Sequence, residues 1–213
     1  MPDARQPLAE QFATLPQQAE ASRLGMWAFL CSEVMFFGGL FLGYIIYRHA
    51  YPHAFAVASR ETDVLYGTLN TAILLTSSLT MALAVFASKE GQFKEVRHFL
   101  IATILLAIAF LGVKALEYTD DFHKHLFPGP MFADAGEPKT QLFFMFYWMM
   151  TSLHALHVII GIGLLSAMTV RSAKNHFSAE YHNPIEITGL YWHFVDIVWI
   201  FLYPLLYLIN RHS

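Results

Sequence analysis

The chain has 213 residues, 56% hydrophobic and 14% charged, with a mean hydropathy of +0.44 and a net charge of −3. Charged residues make up roughly 25% of an ordinary soluble domain, so the composition excludes a soluble globular fold, and the small net charge argues against a nucleic-acid or other polyanionic partner. A single cysteine, Cys31, rules out an internal disulfide and argues against a Cys-rich zinc or iron–sulfur site within the chain.

Residues 1–22 form a polar tail with Pro2, Pro7 and Pro16 and no functional motif. The tail lacks the basic tip, short apolar core and small-residue site of a cleavable signal. Residues 23–210 read as one transmembrane domain. A span needs about 20 mostly apolar residues, and five segments meet that length, at about 24–47, 67–88, 96–118, 142–170 and 187–209. All five should be helices, because an open strand or loop cannot satisfy its backbone in lipid. The expected fold is therefore an all-α bundle of five transmembrane helices. Between them, Arg48 to Tyr66, Lys89 to Glu95, Thr119 to Thr140 and Arg171 to Glu186 read as connections.

The first span carries Glu33 well inside it. A carboxylate at that depth calls for a partner or a proton. It reads either as a proton-related or lipid-headgroup site or as a protonated carboxyl bonded to a neighbouring helix, and both readings stand. Gly39 and Gly43 form a GxxxG suited to close helix packing. The second span holds Asn70, Thr71, Thr76, Ser77, Ser78 and Thr80, small polar residues suited to interhelical hydrogen bonds. In the third, Lys114 and Glu117 are three apart and can neutralise each other.

His154 and His157 lie in the fourth span. Imidazole is a common metal and haem ligand, yet residues three apart on one helix cannot be opposite axial ligands of one haem. A buried structural or interface role is the preferred reading of both, and a shared zinc or copper is the alternative. Arg171, Lys174 and His176 follow this span. The final stretch, Tyr191 to Tyr207, places Trp192, His193, Asp196, Trp199 and Tyr203 on one broad side. Lipid would leave its carboxylate and imidazole unsatisfied at a cost of about several kcal/mol, so this side should face protein.

One side of the bundle gathers seven Lys/Arg (Arg5, Arg23, Lys89, Lys94, Arg97, Arg171, Lys174) against five on the other (Arg48, Arg60, Lys124, Lys139, Arg211). The positive-inside rule then places the N-terminus in the cytoplasm and the C-terminus outside. No P-loop, nucleophile elbow, HExxH or dinucleotide fingerprint occurs, so the chain is expected to carry no catalytic residue of its own.

These residues together resemble the cytochrome c oxidase subunit III family of the haem-copper terminal oxidases, over about residues 23 to 209. The stretch YWHFVDIVWIFLY from Tyr191 to Tyr203 looks like the family's final helix, with Glu186 at the family's spacing before it. His154-Ala-Leu-His157-Val-Ile-Ile-Gly161, the basic segment Arg171 to Phe177, Ser32-Glu33-Val-Met-Phe-Phe37, Leu69-Asn70-Thr71 and Glu117-Tyr118 match further family motifs in order. The resemblance is to the shorter, five-helix bacterial form, beginning at the helix equivalent to the third of seven-helix members.

The resemblance implies a non-catalytic subunit in a bacterial cytoplasmic (inner) membrane. Such a subunit packs on the catalytic subunit I beside subunit II, supporting proton uptake and stability during oxygen reduction in aerobic respiration. The haems and copper would sit in the partner subunits, with no cofactor on this chain beyond a structural phospholipid. It makes Glu33 a proton-uptake or lipid-related group. Asn70, Glu117, His154, His157, Glu186, His193 and Asp196 become buried polar or interface residues, and Arg171, Lys174 and His176 headgroup-level groups. An accessory subunit of a nitric oxide reductase, a stand-alone haem-binding electron carrier using His154, His157 and His193, and a small transporter using Glu33 and Asp196 are the rival readings. The resemblance implies cytochrome c as the complex's electron donor, with quinol the second choice.

Overall fold

A computed structural model describes residues 8–130, 132, 139–174, 176–178 and 181–209. Arg5 and Arg211 of the charge count lie outside these, as do the first seven residues of the expected tail. The described residues fold into six helices: α1 (Leu15–Ala50), α2 (Pro52–Glu61), α3 (Val64–Lys89), α4 (Phe93–His123), α5 (Thr140–Ala173) and α6 (Asn183–Tyr207). All but α2 are long and apolar enough to cross a membrane. They contain no strand; one isolated bridge joins Ser178 and Tyr181.

One expected boundary moves, and one connection gains a helix. The tail does not run unbroken to residue 22, because α1 starts at Leu15. Thr14 caps it by accepting the Gln17 N–H at 3.4 Å, and Pro16 in the first turn suits a helix start. The connection after Arg48 is not simply a loop. Pro52 restricts Tyr51 and ends α1, then serves as the first residue of α2. Asp63 next caps α3, accepting the Leu65 N–H at 2.8 Å. The tightest connection joins α3 to α4 through Gly91, whose φ of 72° suits a residue without a Cβ.

Interhelix bonds fix the register. Arg23 and Lys89 meet Glu186 at one end of the bundle, here termed the N-side. At the other, the C-side, the Tyr44 hydroxyl donates to the Leu205 carbonyl at 2.6 Å. Helices α3 and α6 run antiparallel: Trp192 Nε1 donates to Ser77 Oγ at 3.1 Å, Trp199 Nε1 donates to Thr71 Oγ1 at 3.1 Å, and Thr68 bonds Tyr203 at 2.7 Å. Thr80 and Thr103 join α3 to α4 at 2.8 Å. Thr71, Ser77, Ser78 and Thr80 of the second span thus serve interhelical hydrogen bonding, as their size and polarity predict, whereas Thr76 bonds the Ala72 carbonyl of its own helix.

Helix α6 is the central element. Within the chain, 61% of its membrane-length window is buried, against 17–33% for the other four, because α1, α2, α3 and α5 all pack on it. Trp192, Asp196 and Trp199 are buried, so the polar-aromatic side does face protein. Its apolar remainder divides: Val195, Val198 and Leu202 are buried too, and Ile197, Ile200 and Phe201 face outward. Outward-facing Met35, Leu42, Leu79, Leu105, Leu116 and Ile159 complete an apolar exterior suited to hydrocarbon.

The short α2 has a specific task. The last carbonyls of a helix have no partner within it. Ser59 Oγ of α2 donates to the Ile209 carbonyl at 3.2 Å, and Thr62 Oγ1, just past α2, donates to the Leu206 carbonyl at 3.3 Å. Together with Tyr44, they partner the Leu205, Leu206 and Ile209 carbonyls at and just beyond the end of α6.

Candidate functional site

Between α1 and α5, Glu33 Oε2 lies 3.3 Å from His157 Nε2. The other ring nitrogen, Nδ1, is 2.8 Å from the Leu153 carbonyl one turn earlier. A carbonyl can only accept, so Nδ1 carries a hydrogen. The Nε2···Oε2 contact then holds one proton between a base and a carboxyl. The pair is either neutral imidazole with carboxylic acid or imidazolium with carboxylate. Both side chains keep partial access to the exterior of the bundle, 20% for Glu33 and 12% for His157. Phe37 packs edge-on against the imidazole at 5.3 Å, Tyr191 stacks on it, and the Tyr191 hydroxyl donates to the His157 carbonyl at 3.1 Å. These contacts hold the ring at the α1 boundary.

His154, three residues earlier, points elsewhere. It is buried between Phe110 of α4 and Trp199 of α6, at 5.5 and 5.1 Å between ring centres, and neither ring nitrogen has a hydrogen-bond partner. The two histidines therefore face different helices and do not converge. Among the described residues no three His, Cys, Asp or Glu side chains gather as a metal site.

On the α3–α6 seam, His193 Nδ1 bonds Ser78 Oγ at 2.8 Å. Asp196 is buried one turn further on, where neither carboxylate oxygen makes a hydrogen bond of good geometry and the Ser78 hydroxyl is the nearby polar group. Asn70 of α3 is fully buried with its amide unpartnered. At the N-side, Glu186 ties three helices: Lys89 at 2.8 Å, Arg23 at 3.3 Å and, one turn before it, His182 at 3.5 Å. Arg171, Lys174 and His176 are exposed at this same end.

Towards the C-side, Lys114 and Glu117 form the ion pair their spacing allows, at 3.0 Å. Spacing alone did not disclose the rest of that cluster, Asp121 of α4, Tyr147 of α5 and Tyr207 of α6. Lys114, Glu117 and Asp121 fall on one helical face at intervals of three and four, the available signal. The GxxxG reading also needs refining: a Cβ on Gly43 would meet Phe146, whereas Gly39 faces open space. The glycines that permit close approach are Gly67, Gly161 and Gly189.

Four spans around a buried fifth, with ionisable side chains held inside the bundle and at its boundary, define a polytopic membrane protein. The chain belongs to the cytochrome c oxidase subunit III family, whose pattern matches residues 15–211. Curated relatives bear the same name. Cytochrome c oxidase subunit 3 of the cyanobacterium Thermostichus vulcanus is 32% identical over 88% of this chain and 87% of its own length. The proteins of Latimeria chalumnae and Gallus gallus are 35% and 34% identical over 91% and 90% of this chain, and in each case 71% of the relative is covered.

Proposed function

We propose that this chain is the non-catalytic subunit III of a proton-pumping haem-copper oxidase in a bacterial cytoplasmic membrane. It packs on subunit I and supports proton uptake there. Family membership carries the first part and the Glu33–His157 pair the second: a one-proton couple at the bundle boundary can pass a proton between a partner surface and the chain. The N-side, with its exposed Arg171, Lys174 and His176, is the cytoplasmic face, where basic side chains meet anionic headgroups. An apolar groove of about 420 Å³ between α1 and α6, lined by Trp27, Leu30, Phe37, Phe41, Phe194 and Ile197, accommodates a lipid acyl chain. Haems and copper belong to the partner subunits.

Two experiments test this reading. Affinity purification of the tagged chain from native membranes in mild detergent should recover subunits I and II; recovery of a nitric oxide reductase core instead overturns the oxidase assignment. Within that complex, Glu33→Gln should slow or uncouple turnover while leaving assembly intact. Unchanged rate and pumping would reduce Glu33 to a packing residue.

A further inference from the structure

The buried cluster near the C-side has a hydrogen count that two ionised carboxylates cannot meet. Lys114 Nζ points its three hydrogens at Glu117 Oε2 (3.0 Å), the Tyr147 hydroxyl (3.0 Å) and the Tyr207 hydroxyl (2.7 Å). Besides a contact between the two phenols, three short contacts join a phenol to a carboxyl oxygen: Tyr207 to Glu117 Oε1 at 2.7 Å, Tyr147 to Glu117 Oε1 at 2.8 Å and Tyr147 to Asp121 Oδ2 at 2.8 Å. Each needs a hydrogen between its oxygens. The two phenols supply two, and the lysine has none left. The third must come from a carboxyl.

The geometry points to a proton-binding site shared by Asp121 and Tyr147, holding one proton beyond those of the lysine and the two phenols. With that proton on Asp121 Oδ2, the carboxyl donates to Tyr147, Tyr147 and Tyr207 donate to Glu117, and every phenol–carboxyl contact is filled. The charge count agrees independently: one ammonium and one carboxylate leave a neutral cluster, whereas a second carboxylate would leave a net negative charge among side chains no more than 4% exposed. The titratable groups facing Asp121 are Tyr147 from α5 and Glu117, Lys114, Tyr118 and, just past the helix, Lys124 from α4. Tyr207 brings in α6, and Tyr66 of α3 is engaged by the neighbouring Asp120. The ligand is a single exchangeable proton, and its presence holds α4, α5 and α6 together. Raising the pH removes it, leaves two carboxylates against one lysine, and loosens this end of the bundle.

Infrared spectroscopy of the purified complex tests the site. At neutral pH the wild type should show a D2O-sensitive carboxylic C=O band that is absent in Asp121→Asn, shifted in Tyr147→Phe and unmoved in Asp196→Asn. Thermal release of the chain should begin at falling temperature as pH rises in the wild type, but not in Asp121→Asn, whose amide donates to Tyr147 without a titrating proton. Identical carboxyl spectra for wild type and Asp121→Asn overturn the proposal. Should Asp121→Asn fail to assemble, a carboxyl spectrum unaltered by Tyr147→Phe overturns it instead.

Discussion

Gly161 lies where the Trp192 indole leaves no room for a side chain. A Cβ there would stand 2.7 Å from the ring. The indole cannot retreat freely, because its Nε1 donates to Ser77 across the bundle. Close passage of α5 and α6 thus depends on one missing methyl group. Gly161→Ala should lower the thermal midpoint of the purified complex, by an overpacking cost of about 1–3 kcal/mol, and Gly161→Val should cost more. A midpoint equal to wild type in both would show the indole to be mobile.

His157 and Glu33 should act as one unit. Glutamine at 157 can donate a hydrogen bond but cannot take up the proton that the imidazole shares with Glu33. His157→Gln should therefore assemble normally and slow turnover as Glu33→Gln does. The double substitution should be no worse than either single one, since coupled groups are not additive. Additive losses in steady-state oxygen consumption would separate the two residues.

The Glu186 clamp should be real but modest. Its two cationic partners are 53% exposed at the side chain, and exposed ion pairs contribute about 0.2–1 kcal/mol each. Glu186→Gln should reduce thermal stability slightly in low salt, and the difference from wild type should shrink in high salt as screening takes over. A salt-independent loss would point to a role beyond charge pairing.

Asp196 presents the opposite case, a buried carboxyl without a well-formed hydrogen bond. Replacing an unpartnered polar group by one of the same shape removes little, so Asp196→Asn should leave subunit recovery unchanged and stability within about 1 kcal/mol of wild type. Loss of the chain from the complex would show that a donor outside this bundle satisfies the carboxyl.

The five spans were legible because lipid leaves a helix few options: length and apolarity alone found all five, although α1 begins nine residues before the expected start of its apolar run. What eluded the sequence was governed by partners distant along the chain. The helix at Pro52–Glu61 has no membrane-length apolar run, and its purpose emerges only once Ser59 and Thr62 meet the end of α6. His154 and His157 look equivalent in sequence, yet at three residues apart they sit about 60° around the helix from each other, enough to send one to Phe110 and Trp199 and the other to Glu33. Similarly, the Lys114–Glu117 spacing disclosed a pair, whereas Tyr147 and Tyr207 join it only through tertiary packing.

The pairing of α1 also bears on how the chain is made. α1 is synthesised before α3 and α4, but among the described residues its packing partners are α2, α5 and α6, with none in α3 or α4. α3 and α4 can associate as soon as both are inserted. Throughout that interval α1 waits in the bilayer, with Glu33 still lacking His157 and Tyr44 still lacking the Leu205 carbonyl. α1 gains a membrane-length partner only when translation reaches α5, so a ribosome stalled before residue 157 leaves Glu33 without His157 on an unpartnered acidic span, a ready target for membrane quality control.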